Sequence, residues 1–244
     1  MTRDRHLAWS GCFNARDLGG LTNKRGLEVR WGAVVRADGL DLLTSEGWDA
    51  VFDHGVRTIV DLRNDDERAL HASERPEGLT TIHLPLDGVE EDKAFFEVWG
   101  TGWQFGTPMY YGPHLERFPH RSAAVLRAIA HAPEGGVVFH CSAGRDRTGL
   151  ITMLLLTLLD FDEETIAEDY LLSIDRVAPL FERRKEPDQR PFIEEFLKSK
   201  STTLRETLRA ALASFDRARW QREGGFTDDD LMTLRARVLR SSAP

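Results

Sequence analysis

His140-Cys141-Ser142-Ala143-Gly144-Arg145-Asp146-Arg147-Thr148-Gly149 is the stretch that decides the fold. The apolar run Val137-Val138-Phe139 before it predicts a buried strand. Leu150-Ile151-Thr152-Met153-Leu154-Leu155-Leu156 after it predicts a buried helix. A cysteine at a strand end, a glycine-bearing loop, an arginine and a helix start together form an anion trap. Backbone N–H groups from Ser142, Ala143, Gly144, Arg145, Asp146 and Arg147, with the positive end of the helix dipole, converge on one small volume. That field favours the thiolate of Cys141, the nucleophilic form. Arg147 adds a planar fork that can take two oxygens of a phosphate.

Outward from this loop, 27–31, 33–36, 58–62 and 81–85 read as strands, the first two after a turn at 23–26. Helices are expected over 44–53, capped by Thr44, and over 120–131, stopped by Pro133-Glu134-Gly135-Gly136. Beyond the loop the chain turns helical, with starts at Asp162, at Thr203 with capping-box spacing to Glu206, and at Thr227. The charged, proline-marked stretch 183–191 reads as a loop. Alternating helices and strands predict an α/β fold, a mostly parallel sheet flanked by helices. The Cys141 loop then lies at the carboxyl ends of the strands, where open sheets of this kind bind ligands. No repeat or linker interrupts the 244 residues, so one domain is expected over 1–244.

A hydrophobic content of 41% suits a folded globular chain, and a net charge of −8 argues against a nucleic-acid-binding surface. It leaves an anionic substrate open, because a phosphate pocket is a local field. Two cysteines make no disulfide framework, and with one needed as a thiol a reducing, cytoplasmic setting fits best. Residues 1–7 lack the apolar core of a signal peptide. The most apolar stretch, 150–159, is too short for a bilayer, so no stable membrane insertion is expected.

The loop carries the His-Cys-x5-Arg-Thr-Gly signature and resembles the cysteine-dependent protein tyrosine phosphatases. More narrowly, Ala-Gly-Arg-Asp-Arg-Thr-Gly is similar to bacterial tyrosine and lipid phosphatases reading Gly-Lys-Asp-Arg-Thr-Gly, with Arg145 in place of their lysine. Asn14-Ala15-Arg16-Asp17-Leu18-Gly19-Gly20 and Ile59-Val60-Asp61-Leu62-Arg63 support the same subgroup, so the resemblance runs from about Phe13 to the C-terminal helix. It implies that His140 tunes the cysteine without shuttling protons. It implies a helical lid within about 183–222, centred on 192–215. It also leaves non-classical secretion open.

On this reading Cys141 attacks phosphorus to give a cysteinyl-phosphate that water hydrolyses. A lone cysteine after an apolar strand is more often inert; Gly144, Arg147, Thr148 and Gly149 at these spacings reverse that judgement. Thr148 caps the following helix and also reaches the thiolate. For the general acid, Asp146 matches the resembling subgroup, and it is preferred over Asp87, which sits like the acid-loop aspartate of dual-specificity phosphatases. The bland alternatives are an Asp146 that orients Arg145 and an Asp87 that merely turns the chain before Gly88. Asp61 ends a strand and is expected to brace the loop by pairing with Arg145. Arg145 itself is either a solvated arginine or a second positive charge that admits substrates with several phosphates.

Arg16, Arg36 and Arg63 serve equally well as structural ion pairs. The aromatic run Phe95, Phe96, Trp99, Trp103, Phe105, Tyr110 and Tyr111 reads as core or lid packing. Cys12 is taken as inert, with a disulfide to Cys141 left to their distance. No metal-ligand spacing or nucleotide fingerprint occurs, and the chemistry calls for neither metal nor cofactor. The expected function is a phosphomonoester hydrolase acting on phosphotyrosine proteins. Phosphoinositide or dual specificity is the alternative, as is a catalytically silent phosphate-binding module. A sulfurtransferase or arsenate reductase would leave Arg147-Thr148-Gly149 and Asp146 without a use.

Overall fold

Every residue of the strand that leads into the loop, Gly136–His140, is buried. Apolar side chains facing both ways belong at the centre of a parallel sheet covered on both faces, and the computed structural model, which describes residues 3–70 and 74–241, puts it there. The strands are β1 (Arg16–Asp17), β2 (Leu27–Val29), β3 (Val34–Ala37), β4 (Val56–Asp61), β5 (Thr80–His83), β6 (Gly136–His140) and β7 (Leu239–Ser241). The main sheet has the order β1-β3-β6-β4-β5; only β1 is antiparallel to its neighbour. Val138 of β6 pairs with Val35 on one side and Ile59 on the other, so the most buried positions of three strands share one row.

The α-helices are α1 (Ser45–Asp53), α2 (Asp65–Leu70), α3 (Lys93–Trp99), α4 (Tyr111–Arg117), α5 (Pro119–Ala130) and α6 (Asp146–Leu158), followed by α7 (Glu163–Arg176), α8 (Ala178–Arg184), α9 (Arg190–Ser199), α10 (Leu204–Ser214), α11 (Arg217–Gly224) and α12 (Asp228–Val238). They divide between the two sheet faces. Val35, Val138 and Ile59 pack with Trp9 and Val51 of α1, while Val137, Phe139 and Val60 pack with α5, α6, α7 and α12. Helix α6 is apolar around most of its girth and has Thr148 through Leu156 buried in a continuous run, the pattern of a central helix rather than a surface one.

The expected mixed α/β architecture with a mostly parallel sheet and a helical C-terminal region is what the chain adopts. Local signals worked as anticipated at Thr44, which accepts a hydrogen bond from Gly47 N, and at Asp162, which caps α7. At Thr227 a full capping box forms with Asp230. Two expectations need correcting. The strand over 27–31 does not join the main sheet: β2 pairs antiparallel with β7, a strand unforeseen at the end of the chain. Exposed Arg240 and Ser241 carry no strand pattern of their own, and their extended form comes from the partner. The stretch 183–191 is a loop only between α8 and α9. Arg183 and Arg184 finish α8, where cations suit the helix C-terminus, and Pro191 falls in the first turn of α9, where its missing N–H costs nothing.

Candidate active site

The loop between β6 and α6 is held from behind by its carbonyl oxygens. Gly39 N donates to the Ser142 carbonyl at 2.9 Å. Asn14 Nδ2 donates to the Ala143 and Gly144 carbonyls at 3.0 and 3.1 Å, and Arg36 Nη2 donates to the Gly144 carbonyl at 2.8 Å. In a planar trans peptide the N–H points opposite to the C=O. Pulling these three carbonyls onto the scaffold therefore turns the Ala143, Gly144 and Arg145 amides the other way, toward the cavity. Gly144 makes the turn possible with φ of +66°, and a Cβ there would sit 2.5 Å from the Ala37 carbonyl oxygen.

The cavity in front of the loop measures about 260 Å³. Cys141, Ser142 and Ala143 line it together with Arg145, Asp146 and Arg147. Asp87 and the aromatic side chains of Trp103, Phe105, Tyr110, Tyr111 and Phe181 complete its walls. Thr148 does not cap α6, which begins at Asp146, but its Oγ1 donates from inside the first turn to Cys141 Sγ at 3.2 Å. The Arg147 guanidinium is gripped by Glu67, with Nη2 donating to Oε1 at 2.6 Å and Nη1 to Oε2, and its Nη1 lies 3.3 Å from Asp87 Oδ2. Burial opposes the Arg147 charge, but Asp87 and Glu67 outweigh it and hold the group more firmly protonated. Glu67 in turn is drawn below the usual glutamate range, Arg147 overcoming its burial. Asp87 behaves oppositely: complete burial raises its carboxyl against the pull of Arg147 and of Asn64, whose Nδ2 donates to it at 3.1 Å. Its Oδ1 is buried without a hydrogen-bond donor.

A cysteine at the foot of an amide-lined cavity, beside an anchored arginine, is the arrangement the signature anticipates. The tyrosine phosphatase family matches residues 7–240. The chain belongs to that family. A Cupriavidus necator protein provisionally named a tyrosine-protein phosphatase is 29% identical over 181 residues, 71% of this chain and 65% of that protein. A tyrosine-protein phosphatase of Nostoc commune is 32% identical over 143 residues, 58% of this chain and 48% of that protein. The triple specificity protein phosphatase PtpB of Mycobacterium tuberculosis is 27% identical over 208 residues, covering 75% of this chain and 74% of PtpB. The chain thus spans less than two thirds of the length of the first two.

In this tyrosine phosphatase family chain the other anticipated residues fall into two groups. Asp146 lines the cavity, but its carboxylate accepts from Arg145 Nε at 3.0 Å and from Tyr170 Oη at 3.3 Å. Arg145 is not a solvated arginine: its side chain is 4% exposed, spanning Asp146 and Gln189 Oε1. The expected Asp61–Arg145 pair is not made. Asp61 pairs with Arg63 at 2.8 Å, and its carboxylate lies 3.7 Å from His140 Nε2 without a hydrogen bond between them. Burial drives the His140 pKa down to about 4, and the neutral ring donates from Nδ1 to the Cys141 carbonyl at 3.1 Å.

Cys12 donates to Asp38 at 2.7 Å, and burial together with Asp38 keeps it a thiol; both cysteines are free. Of the aromatic run, Phe95 and Phe96 pack on Phe118, while Trp103, which lines the cavity, stacks on Phe192 of α9. Within 183–222, Arg184, Glu186 and Gln189 line the cavity, whereas α10 and α11 pack against the body of the domain. Sequence reading missed Glu67, because Asp65-Asp66-Glu67-Arg68 has the look of a solvated helix start. It also missed Arg184, which donates to Ser142 Oγ at 2.8 Å. No helix among the described residues is long and apolar enough to cross a membrane.

Proposed function

We propose that this chain hydrolyses phosphomonoesters, with phosphotyrosine in proteins as the substrate class, through a cysteinyl-phosphate. The observation that carries the reading is Cys141 Sγ at the base of a cavity whose loop amides face inward, with Thr148 donating to the sulfur. The Cys141 thiolate attacks phosphorus and the bond to the ester oxygen breaks. The leaving oxygen takes a proton from an acid. Water then attacks phosphorus, the acid's conjugate base accepts its proton, and the P–S electrons return to sulfur, with Thr148 stabilising the charge. Glu67 holds Arg147 by the outer edge of its fork, which leaves the Nε side free for two phosphate oxygens.

For the acid, the geometry supports Asp87 over Asp146. Asp87 has a raised pKa and an oxygen without a donor, so its protonated form is accessible. Asp146 is committed as an acceptor to Arg145 and Tyr170. Aromatic walls favour an aryl ester, and the lid role fits Trp103 and Phe192 with the residues of 184–192. Phosphoinositides form the second reading, favoured by Arg184, a further cation on the cavity wall. Free, buried thiols suit a reducing cytoplasm. Purified protein is expected to hydrolyse p-nitrophenyl phosphate in EDTA and to lose that activity on Cys141→Ser. Absence of turnover with retained phosphopeptide binding would point instead to a silent binding module.

A further inference from the structure

Behind the phosphate loop, and outside the cavity, one carboxylate organises an unusually dense set of buried cations. Asp169 of α7 is fully buried and accepts from Arg16 Nε at 3.0 Å, from Arg16 Nη2 at 3.1 Å and from Arg36 Nη1 at 2.7 Å. Arg5, on the outer side, adds a fourth contact at 3.1 Å. Burial disfavours the Asp169 charge, but Arg16, Arg36 and Arg5 outweigh it and keep the group ionised. Arg16 is itself pushed down to about 9 by burial and by Arg36, and so remains protonated at neutral pH. Such a cluster is an expensive way to hold a strand to a helix, since apolar residues of similar volume would serve at least as well. Its arms end somewhere more specific.

Two independent lines run from Asp169 to the loop. Along the first, the Arg36 fork places Nη1 on Asp169 and Nη2 on the Gly144 carbonyl. Along the second, Arg16 Nη1 donates to Asn14 Oδ1 at 2.7 Å, which fixes the amide so that Nδ2 faces the Ala143 and Gly144 carbonyls. Both lines therefore meet on the Gly144 carbonyl, and the second also holds that of Ala143; the orientation of these carbonyls decides where the Gly144 and Arg145 N–H groups point. We propose that Asp169 is a positioning residue that aims the anion-binding amides of the phosphate loop through Arg36 and through Arg16 and Asn14. This deepens the phosphatase reading and rests on it for catalysis, but the aiming of the amides is testable by oxyanion binding alone. Ser173 marks the contrast: its hydroxyl accepts from Arg16 Nη2 at 2.9 Å and from Arg36 Nη2 at 3.1 Å, but it makes no hydrogen bond to the loop and leaves both arginines their bonds to Asp169.

Tungstate, a non-reacting oxyanion, serves as the probe, with its dissociation constant measured by calorimetry well below each variant's melting temperature. Arg36→Lys cannot span Asp169 and Gly144 at once, and Asn14→Asp replaces the donor with an acceptor facing two carbonyls. Each is expected to weaken tungstate roughly tenfold or more. Asp169→Asn is expected to do the same if it folds; if it does not, the other two variants carry the test. Ser173→Ala should lower the melting temperature and leave tungstate affinity within about twofold. Unchanged affinity in Arg36→Lys and Asn14→Asp, or an equal loss in Ser173→Ala, would overturn the proposal, as would failure of the parent protein to bind tungstate. Tungstate binding without aryl phosphate turnover would instead sink the phosphatase reading and leave the aiming role standing on the variants.

Discussion

Glu67 and Arg147, 80 residues apart in sequence, meet as a two-point ion pair in which both terminal nitrogens of the guanidinium face one carboxylate. An arginine held by one edge of its fork has its other edge fixed in space. Glu67→Gln keeps the shape of the grip and removes its charge. Because orientation matters most when charge develops on the phosphoryl oxygens, kcat is expected to fall about 10- to 100-fold with a smaller change in KM. Steady-state kinetics on an aryl phosphate check this. A tighter KM with an intact kcat would mean that Glu67 only competes with substrate.

The roles of Asp87 and Asp146 separate by leaving group. p-Nitrophenolate leaves without much help, whereas the phenolate of phosphotyrosine needs a proton. Asp87→Asn is expected to slow phosphotyrosine hydrolysis by about 10²–10⁴ and p-nitrophenyl phosphate far less. It should also abolish the decline in kcat/KM on the alkaline side, since a raised Asp87 must stay protonated to act. Asp146→Asn, which releases Arg145 and Tyr170, should lower both substrates alike. A leaving-group dependence that vanishes in Asp146→Asn would assign the acid to the loop.

The contiguous part of the site was legible because the chemistry of Cys141, Gly144, Arg147 and Thr148 is set by spacing along one strand–loop–helix. Asp87 was visible from its place after Leu84-Pro85-Leu86. What stayed hidden depends on side chains that meet across the fold. Glu67 belongs to a short, polar helix with no periodic signal, and Asp169 looks like any polar position of an amphipathic helix until Arg16 and Arg36 are found against it. The expected Asp61–Arg145 pair failed for a local reason. Each residue has a nearer partner in sequence, Arg63 for Asp61 and Asp146 for Arg145, and those pairs cost less chain entropy to form.

Acid sensitivity follows from His114. It is fully buried, donates from Nε2 to the Leu86 carbonyl at 2.8 Å, and burial lowers its pKa from 6.5 to about 4. In the unfolded chain the same ring titrates near 6.5, so the unfolded state binds the extra proton as pH falls while the native state does not. Stability conferred by keeping His114 neutral is therefore complete above about pH 7 and is lost between about 6.5 and 4. Denaturant unfolding at pH 7 and pH 5 should show His114→Gln losing about 2 kcal/mol less than the parent over that interval. An equal loss would place the acid sensitivity elsewhere, with His140, whose pKa is lowered in the same direction, as the next variant to test.

Gly144 gives the sharpest separation of backbone strain from loop geometry. Its φ of +66° resembles that of Gly26, at +73°, but the surroundings differ. A Cβ at Gly26 would meet nothing within 4 Å, whereas one at Gly144 would lie 2.5 Å from the Ala37 carbonyl oxygen and 2.6 Å from Asp38 N. Gly26→Ala carries the conformational penalty alone, about 1 kcal/mol, and should leave oxyanion binding unchanged. Gly144→Ala carries the same penalty and must also push the loop away from β3. That breaks the reach of Arg36 and Asn14 to its carbonyl and turns the amides off target. Tungstate binding should be lost and the melting temperature should fall further than in Gly26→Ala. If Gly144→Ala bound tungstate as well as Gly26→Ala does, the close approach of the loop to β3 would not be what orients its amides.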